Sequence, residues 1–172
     1  LSILGVDPGS LTTGWGLLEG SPANPTLLDC GIVRLDSGLS LARRLARLHE
    51  EFTGLVDRVK PSIAAVEAPF HGPSARSALQ LAHARGVILA VLASAAVEVA
   101  EYTPTGVKKA VTGNGRADKR QVREMVHRLL QRRDRWPSHD ISDALAVALC
   151  HLTTSRFQAA VDRARKRPRA AG

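Results

Sequence analysis

Four carboxylates stand at positions where acids are expensive to keep. Asp7 closes the apolar run at residues 3–6, and Glu67 closes a second one, Ile63-Ala64-Ala65-Val66. Asp140 and Asp143, three residues apart, share one face of a predicted helix a turn from each other. A carboxylate at the end of a buried strand is costly unless a cation sits against it. Each has a plainer explanation when taken singly. Asp7-Pro8-Gly9 is also a turn sequence, and acids in the first turns of a helix complement its dipole. Together they invite a hard divalent cation such as Mg²⁺, which takes carboxylate and water oxygens and leaves positions open for phosphate. A pair of such ions would serve an in-line displacement at a phosphodiester. Without metal the cluster repels itself, and some of its pKa values rise.

Basic residues gather in the later part of the chain. Residues 1–103 hold 8 Lys and Arg against 10 Asp and Glu, whereas residues 104–172 hold 16 against 6. The net charge of +8 therefore lies wholly in the C-terminal part, an asymmetry expected of a nucleic-acid binder. Lys108 and Lys119 flank the loop Thr112-Gly113-Asn114-Gly115, where a side chain can reach a phosphate or stabilise charge in a transition state. Lys109, Arg116, Arg120, Arg123 and Arg128 read as phosphate contacts, which give affinity without sequence information. Phe70 follows Glu67 on a Pro/Gly loop and could stack on an unpaired base, or tuck against the core or a partner.

The elements that must position these groups follow from the hydrophobic pattern. Strands are predicted at 2–7, at 15–19 after Gly9 and Gly14 as punctuation, and at 27–35 after a Pro-rich turn. Their short connections favour an antiparallel meander. Leu41, Leu45, Leu48, Phe52, Leu55 and Val59 form one stripe of a helix of about five turns, with Ser40 as N-cap. Pro61 ends it, and a short strand then leads to Glu67. The Ala/Leu-rich run 75–95 reads as a helix buried against the sheet or a second subunit, followed by a strand at 97–102. Helices over 105–111 and 119–130 follow, the latter turning Val122, Met125, Val126 and Leu129 inward. The last begins near Ser138 and passes His151. Trp15, Trp136, Tyr102 and His151 read as packing residues. The order β-β-β-α-β-α-β and then helices makes a mixed five-stranded sheet flanked by helices.

At 172 residues the chain is one domain, placed at 1–155, with a basic and flexible tail over 156–172. It opens on a strand with no signal-peptide pattern, and its first residue is Leu1 rather than Met. No apolar run reads as a membrane span, since 86–99 is short and carries Glu98. Cys30 and Cys150 lack metal-ligand spacing and read as buried, reduced thiols, which points to the cytoplasm.

Gly5-Val6-Asp7-Pro8-Gly9-Ser10 with Thr13-Gly14-Trp15-Gly16, then Glu67-Ala68-Pro69-Phe70, and Asp140 and Asp143 in a Ser-Asp-Ala-Leu-Ala-Val-Ala context, resemble the RuvC family of Holliday junction resolvases. The segment 107–119 also resembles that family's basic segment, and the likeness runs colinearly over residues 1–155. The resemblance implies a ribonuclease-H-like fold and a homodimer whose two-fold axis matches a near two-fold four-way junction. It further implies a Mg²⁺-dependent endonuclease, with Mn²⁺ as the other candidate ion and a branch-migration helicase complex as partner. Metal-activated water would make paired symmetric nicks that leave a 5′-phosphate and a 3′-hydroxyl. The family's four acids fall on Asp7, Glu67, Asp140 and Asp143, its catalytic lysines on Lys108 and Lys119, and its junction-centre aromatic on Phe70. The third acidic position varies among relatives, and His139 beside Asp140 is a substitute ligand there, although a solvated or capping histidine is the plainer reading. Two other readings stay open: a non-catalytic junction-binding protein, and an actin-like ATPase, for which 172 residues are too few to supply two lobes.

Overall fold

The computed structural model describes residues 1–68, 74–132 and 136–166, the last eleven of these as backbone alone. Its sheet is built from β1 (Ile3–Asp7), β2 (Thr12–Ser21), β3 (Asn24–Arg34), β4 (Ile63–Glu67) and β5 (Glu98–Tyr102), in the spatial order β3-β2-β1-β4-β5. β1, β2 and β3 pair antiparallel, while β4 joins β1 and β5 joins β4 in parallel. The helices are α1 (Leu41–Val59), α2 (Ala75–Ser94), α3 (Pro104–Thr112), α4 (Lys119–Leu129) and α5 (His139–Lys166). This is the expected mixed sheet flanked by helices, and its central strand, β1, is buried on both faces.

Period-two alternation along β1 and β2 sorts side chains between the two cores. Leu4, Val6, Trp15 and Leu17 face α1 and α2, where Leu48, Phe52, Ile88 and Leu92 are fully enclosed. On the other face Ile3 and Leu18 meet α5 through Leu145, Val147 and Leu149. Full burial of each such side chain stabilises by about 1.5–3 kcal/mol.

Two strands are longer than the sequence suggested. Gly14 is no punctuation mark; it lies inside β2, opposite Asp7. β3 starts at Asn24, because Pro22 and Ala23 alone make the hairpin turn and the Ser21 hydroxyl accepts a hydrogen bond from the Asn24 amide. Pro25 is tolerated within β3 because that strand is an edge. α1 begins as expected, with Ser40 Oγ accepting from the Arg43 amide, and it ends on Lys60 in the left-handed conformation just before Pro61.

Only one face of α2 is buried against the sheet. It packs through Ala84, Ile88, Val91 and Leu92, yet Leu79, Ala82, Gly86, Ala90 and Ala93 are exposed along another face. By length and composition alone α2 would suit a bilayer span, but its buried stripe belongs to the core under the sheet. Cys150 is buried as expected, whereas Cys30, on edge strand β3, is half-buried; both are free thiols. Tyr102, Trp15, Trp136 and His151 all pack against one core or the other, the Tyr102 hydroxyl lying 2.8 Å from His151 Nδ1.

Candidate active site

Parallel pairing of β1 with β4 brings two strand ends together, and each ends on an acid. Val6 pairs with Val66, so Asp7 and Glu67 leave the sheet side by side at its carboxyl edge. The third acid comes from above. α5 lies across β1 and β2 with its backbone almost against theirs, because glycines line the floor. A Cβ at Gly14 would stand 2.0 Å from the Asp140 carbonyl oxygen, and one at Gly5 would stand 2.1 Å from that of Ala144. Gly5 pairs with Gly16, and Gly14 with Asp7, so these glycines form one bare patch beneath the first turns of α5. That close approach carries Asp143 down to the two strand ends.

Asp7, Glu67 and Asp143 line one cavity of about 380 Å³ together with Lys108 of α3 and Lys119 of α4. Pro104, Thr105, Val107, Val122 and Ala146 complete its wall. Lys119 opens α4 behind a capping box in which Asp118 and Gln121 satisfy each other's backbone amides. Its Nζ lies 3.9 Å from Asp143 Oδ2, while most of the side chain remains in solvent. Lys108 is half-buried, reaching the cavity from the helix that Thr103 caps and Gly113 ends.

The electrostatics are those of acids short of positive charge. Burial, and after it the charges of Glu67, Asp143 and Asp140, push Asp7 up to about 8. Glu67 is raised by burial and by Asp143, against the opposing pull of its hydrogen bond to Asp7 and of Lys119 and Lys108. Asp143 is raised by burial too, with Lys119 partly offsetting it. One proton held by Asp7 in its contact with Glu67 relieves the repulsion. Among the described residues no three His, Cys, Asp or Glu side chains are drawn together tightly enough to cage an ion. The side-chain oxygens lining the cavity are nonetheless three carboxylates and the Thr105 hydroxyl, with no thiol or imidazole among the described lining residues. Such a set fits Mg²⁺ or Mn²⁺ and discriminates against softer metals. A divalent cation would displace the Asp7 proton and supply the missing charge.

Not every predicted site residue comes to this cavity. Asp140 stands one turn earlier on α5, outside the lining; the Ser138 hydroxyl donates to its Oδ2 at 2.7 Å. His139 is exposed and faces a neighbouring cavity lined by arginines. Lys109, Arg116 and Arg120 are exposed and Arg123 is half-buried, on α3, α4 and the loop between them. Phe70 lies outside the described residues. Sequence reasoning missed Arg85, whose Nε donates to the Glu67 carbonyl at 3.4 Å and whose guanidinium pairs with Glu101 on β5. The available signal was one arginine set in the apolar second half of α2, beside a strand that ends near an acid.

The family model described as crossover junction endodeoxyribonuclease RuvC matches residues 3–151. Among curated relatives, the crossover junction endodeoxyribonuclease RuvC of Magnetococcus marinus is 41% identical over 157 residues, covering 91% of this chain and 87% of that one. That of Chlorobium phaeobacteroides is 43% identical over 150 residues, covering 87% and 80%. Among solved structures, Thermus thermophilus RuvC in complex with Holliday junction substrate superposes with a TM-score of 0.85 at 31% identity, covering 92% of this chain and 96% of that chain.

Proposed function

The chain belongs to the crossover junction endodeoxyribonuclease RuvC family and is a metal-dependent Holliday junction resolvase of recombination and repair; from that premise we propose which residues cut and with what. Asp7, Glu67 and Asp143 hold the cation, with Asp140 completing the set from one turn up α5. Mg²⁺ is the working ion, two per site, and Mn²⁺ substitutes for it. His139, which lines the neighbouring cavity, is given no part in this. The observation that carries the reading is the convergence of three acids and two lysines, from five separate elements, on one cavity.

When bound, the cations neutralise charge on the attacking and leaving oxygens of an in-line displacement. The residues do the rest. Asp7, deep at the end of β1, gives up its proton as the site loads and thereafter stays ionised. Lys108 faces the non-bridging oxygens, where negative charge grows in the transition state. Lys119, 3.9 Å from Asp143, favours the charged form of that carboxylate against the effect of burial while leaving its own ammonium open to the phosphate. Hydrolysis leaves a 5′-phosphate and a 3′-hydroxyl. Lys109, Arg116, Arg120 and Arg123 grip the backbone, and Phe70 stacks at the junction centre.

A homodimer places two such sites about a two-fold axis, one for each of two symmetric nicks. The exposed face of α2, small and apolar from Leu79 through Ala82 and Gly86 to Ala90, supports that face as the dimer surface. Residues 1–155 form the nuclease unit, and 156–172 a basic extension of it. The protein works in the cytoplasm, beside a branch-migration complex.

The test is cleavage of a labelled four-way junction beside linear duplex of the same sequence, in Mg²⁺, Mn²⁺ and EDTA. Paired nicks on the junction alone, absent in EDTA, are expected; junction binding without nicks in either metal would demote the protein to a binding module. Separately, Ala90→Glu is expected to convert dimer to monomer in sedimentation and to uncouple the paired nicks. A dimer that survives this change would move the interface elsewhere.

A further inference from the structure

A second cavity, of about 580 Å³, opens on the next face of α4. Arg120, Arg123, Glu124 and His127 recur at the spacing of a single helical stripe and form one wall. Arg128 and Arg132 extend that wall, and Trp136 closes one end with its ring against that of His127, centroids 4.1 Å apart. The opposite wall is the start of α5, where His139 offers an imidazole, while the hydroxyls of Ser138 and Ser142 donate to Asp140 Oδ2 and to the His139 carbonyl.

The charge balance is lopsided. Four guanidinium groups and two imidazoles among the described residues line the cavity with one carboxylate, Glu124, which Arg120 engages at 3.9 Å. Among the described residues, Arg123, Arg128 and Arg132 have no acidic side chain within ion-pair distance. The Nε of Arg123 is enclosed and has no hydrogen-bond acceptor. A buried donor left unpaired is costly, and Nε is too enclosed for a ligand to reach, so it is the terminal amino groups of Arg123 that an oxyanion would engage. Guanidinium forks match the two non-bridging oxygens of a phosphodiester in a way that ammonium groups cannot. Arg123 is also near enough to Asp143 for its charge to favour the ionised carboxylate, and the two cavities are neighbours, since Val122 and Asp143 line one where Arg123 and Ser142 line the other.

We propose that this arginine cavity is a subsite for a backbone phosphate of the DNA other than the one cut, gripped by Arg123 and Arg128 so that the strand enters the carboxylate cavity in register. The inference rests on the reading of Asp7, Glu67 and Asp143 as the cleavage site. It assigns to the start of α5 two duties on two sides: Asp143 toward the scissile phosphate, and His139 toward the neighbouring one.

The experiment measures junction affinity in EDTA, across a salt series, for the wild-type protein and for Arg123→Gln/Arg128→Gln. A shared grip on one phosphate predicts a roughly tenfold loss of affinity and a log–log salt slope shallower by about 0.9, rather than the roughly 1.8 expected for two separate contacts. The lysine pair, Arg123→Lys/Arg128→Lys, is expected to restore the slope but not the full affinity, which also shows that the site tolerates substitution without unfolding. A scan of single methylphosphonate linkages then locates the phosphate: one neutral linkage weakens the wild-type protein and leaves the Gln variant unaffected. Unchanged affinity and slope in the Gln variant would overturn the proposal. So would a cavity that binds inorganic phosphate, seen through the His127 resonances, while the Gln variant holds the junction as tightly as wild type. Failure of the cleavage-site reading shows elsewhere, as nicking that persists in Asp7→Asn, and leaves these binding measurements standing.

Discussion

Asp7→Asn is expected to lower junction cleavage on the order of 10³-fold and, at pH 8 without metal, to make the protein more stable than wild type. Both effects have one cause. Asp7 is an acid in a desolvated place among other acids, with a folded-state pKa of about 8 against 3.8 as its ordinary value. Below about pH 4 the folded and unfolded chains both carry the proton. Between there and about pH 8 only the folded chain keeps it, so the unfolded state binds fewer protons and stability falls as pH rises. Asparagine, neutral at every pH, removes that penalty. A gain of at least about 2 kcal/mol at pH 8, or roughly 4–8 °C in melting temperature, should shrink toward zero at pH 4. Millimolar Mg²⁺ should reverse the order, raising the wild-type melting temperature and leaving that of the variant nearly unmoved. Thermal melts at pH 4 and pH 8, with and without metal, check all of this. A variant less stable than wild type at pH 8 in EDTA would mean that Asp7 is held by structure rather than strained by charge.

Much of this site was legible in the sequence because its parts are local. An apolar run that stops on an acid marks a strand end whether or not its neighbour is known, and so Asp7 and Glu67 stood out. The Leu/Phe stripe of α1 and its Ser40 cap are equally local. What could not be read was long-range. Gly14 resembles a strand breaker when only nearby residues are considered; its reason for being glycine is the Asp140 carbonyl, more than a hundred positions away. Asp140 and Asp143 share a helix face, yet of the two only Asp143 lines the cavity; Asp140 sits one turn earlier over Gly14 of β2, with Oδ2 taken by the Ser138 hydroxyl. Arg85 went unnoticed because its partners, the Glu67 carbonyl and Glu101, come together only when β4 and β5 pair. Composition reports how apolar α2 is but not what covers it, so it left open the choice between sheet and second subunit; one face packs under the sheet and the other is exposed.

Gly14→Ala is the substitution expected to damage both fold and chemistry most for the fewest atoms added. Its new Cβ would lie 2.0 Å from the Asp140 carbonyl oxygen and 2.4 Å from the carbonyl carbon, both backbone atoms that cannot swing aside. The start of α5 must therefore lift from β2 by about 1 Å or more, since real Cβ contacts essentially never fall under 3.0 Å. Overpacking of this kind costs about 1–3 kcal/mol, or roughly 2–12 °C. The larger consequence is positional. Asp143 rides on that turn, and a shift of about 1 Å at a reacting centre is worth about 10²-fold in rate. Gly16→Ala provides a graded comparison, because its clash at 2.3 Å is with Leu145 Cδ2, the far end of a side chain that can rotate. Gly54→Ala, in α1 with nothing within 4 Å of its Cβ, should instead gain about 0.5–1 kcal/mol from helix propensity and leave cleavage untouched. Melting temperature and single-turnover cleavage of a junction, measured for the three variants together, give the order expected if glycines set the height of α5 above the sheet. Equal behaviour of Gly14→Ala and Gly54→Ala would show that the helix has room to settle, and that the position of Asp143 is fixed by something other than bare backbone beneath it.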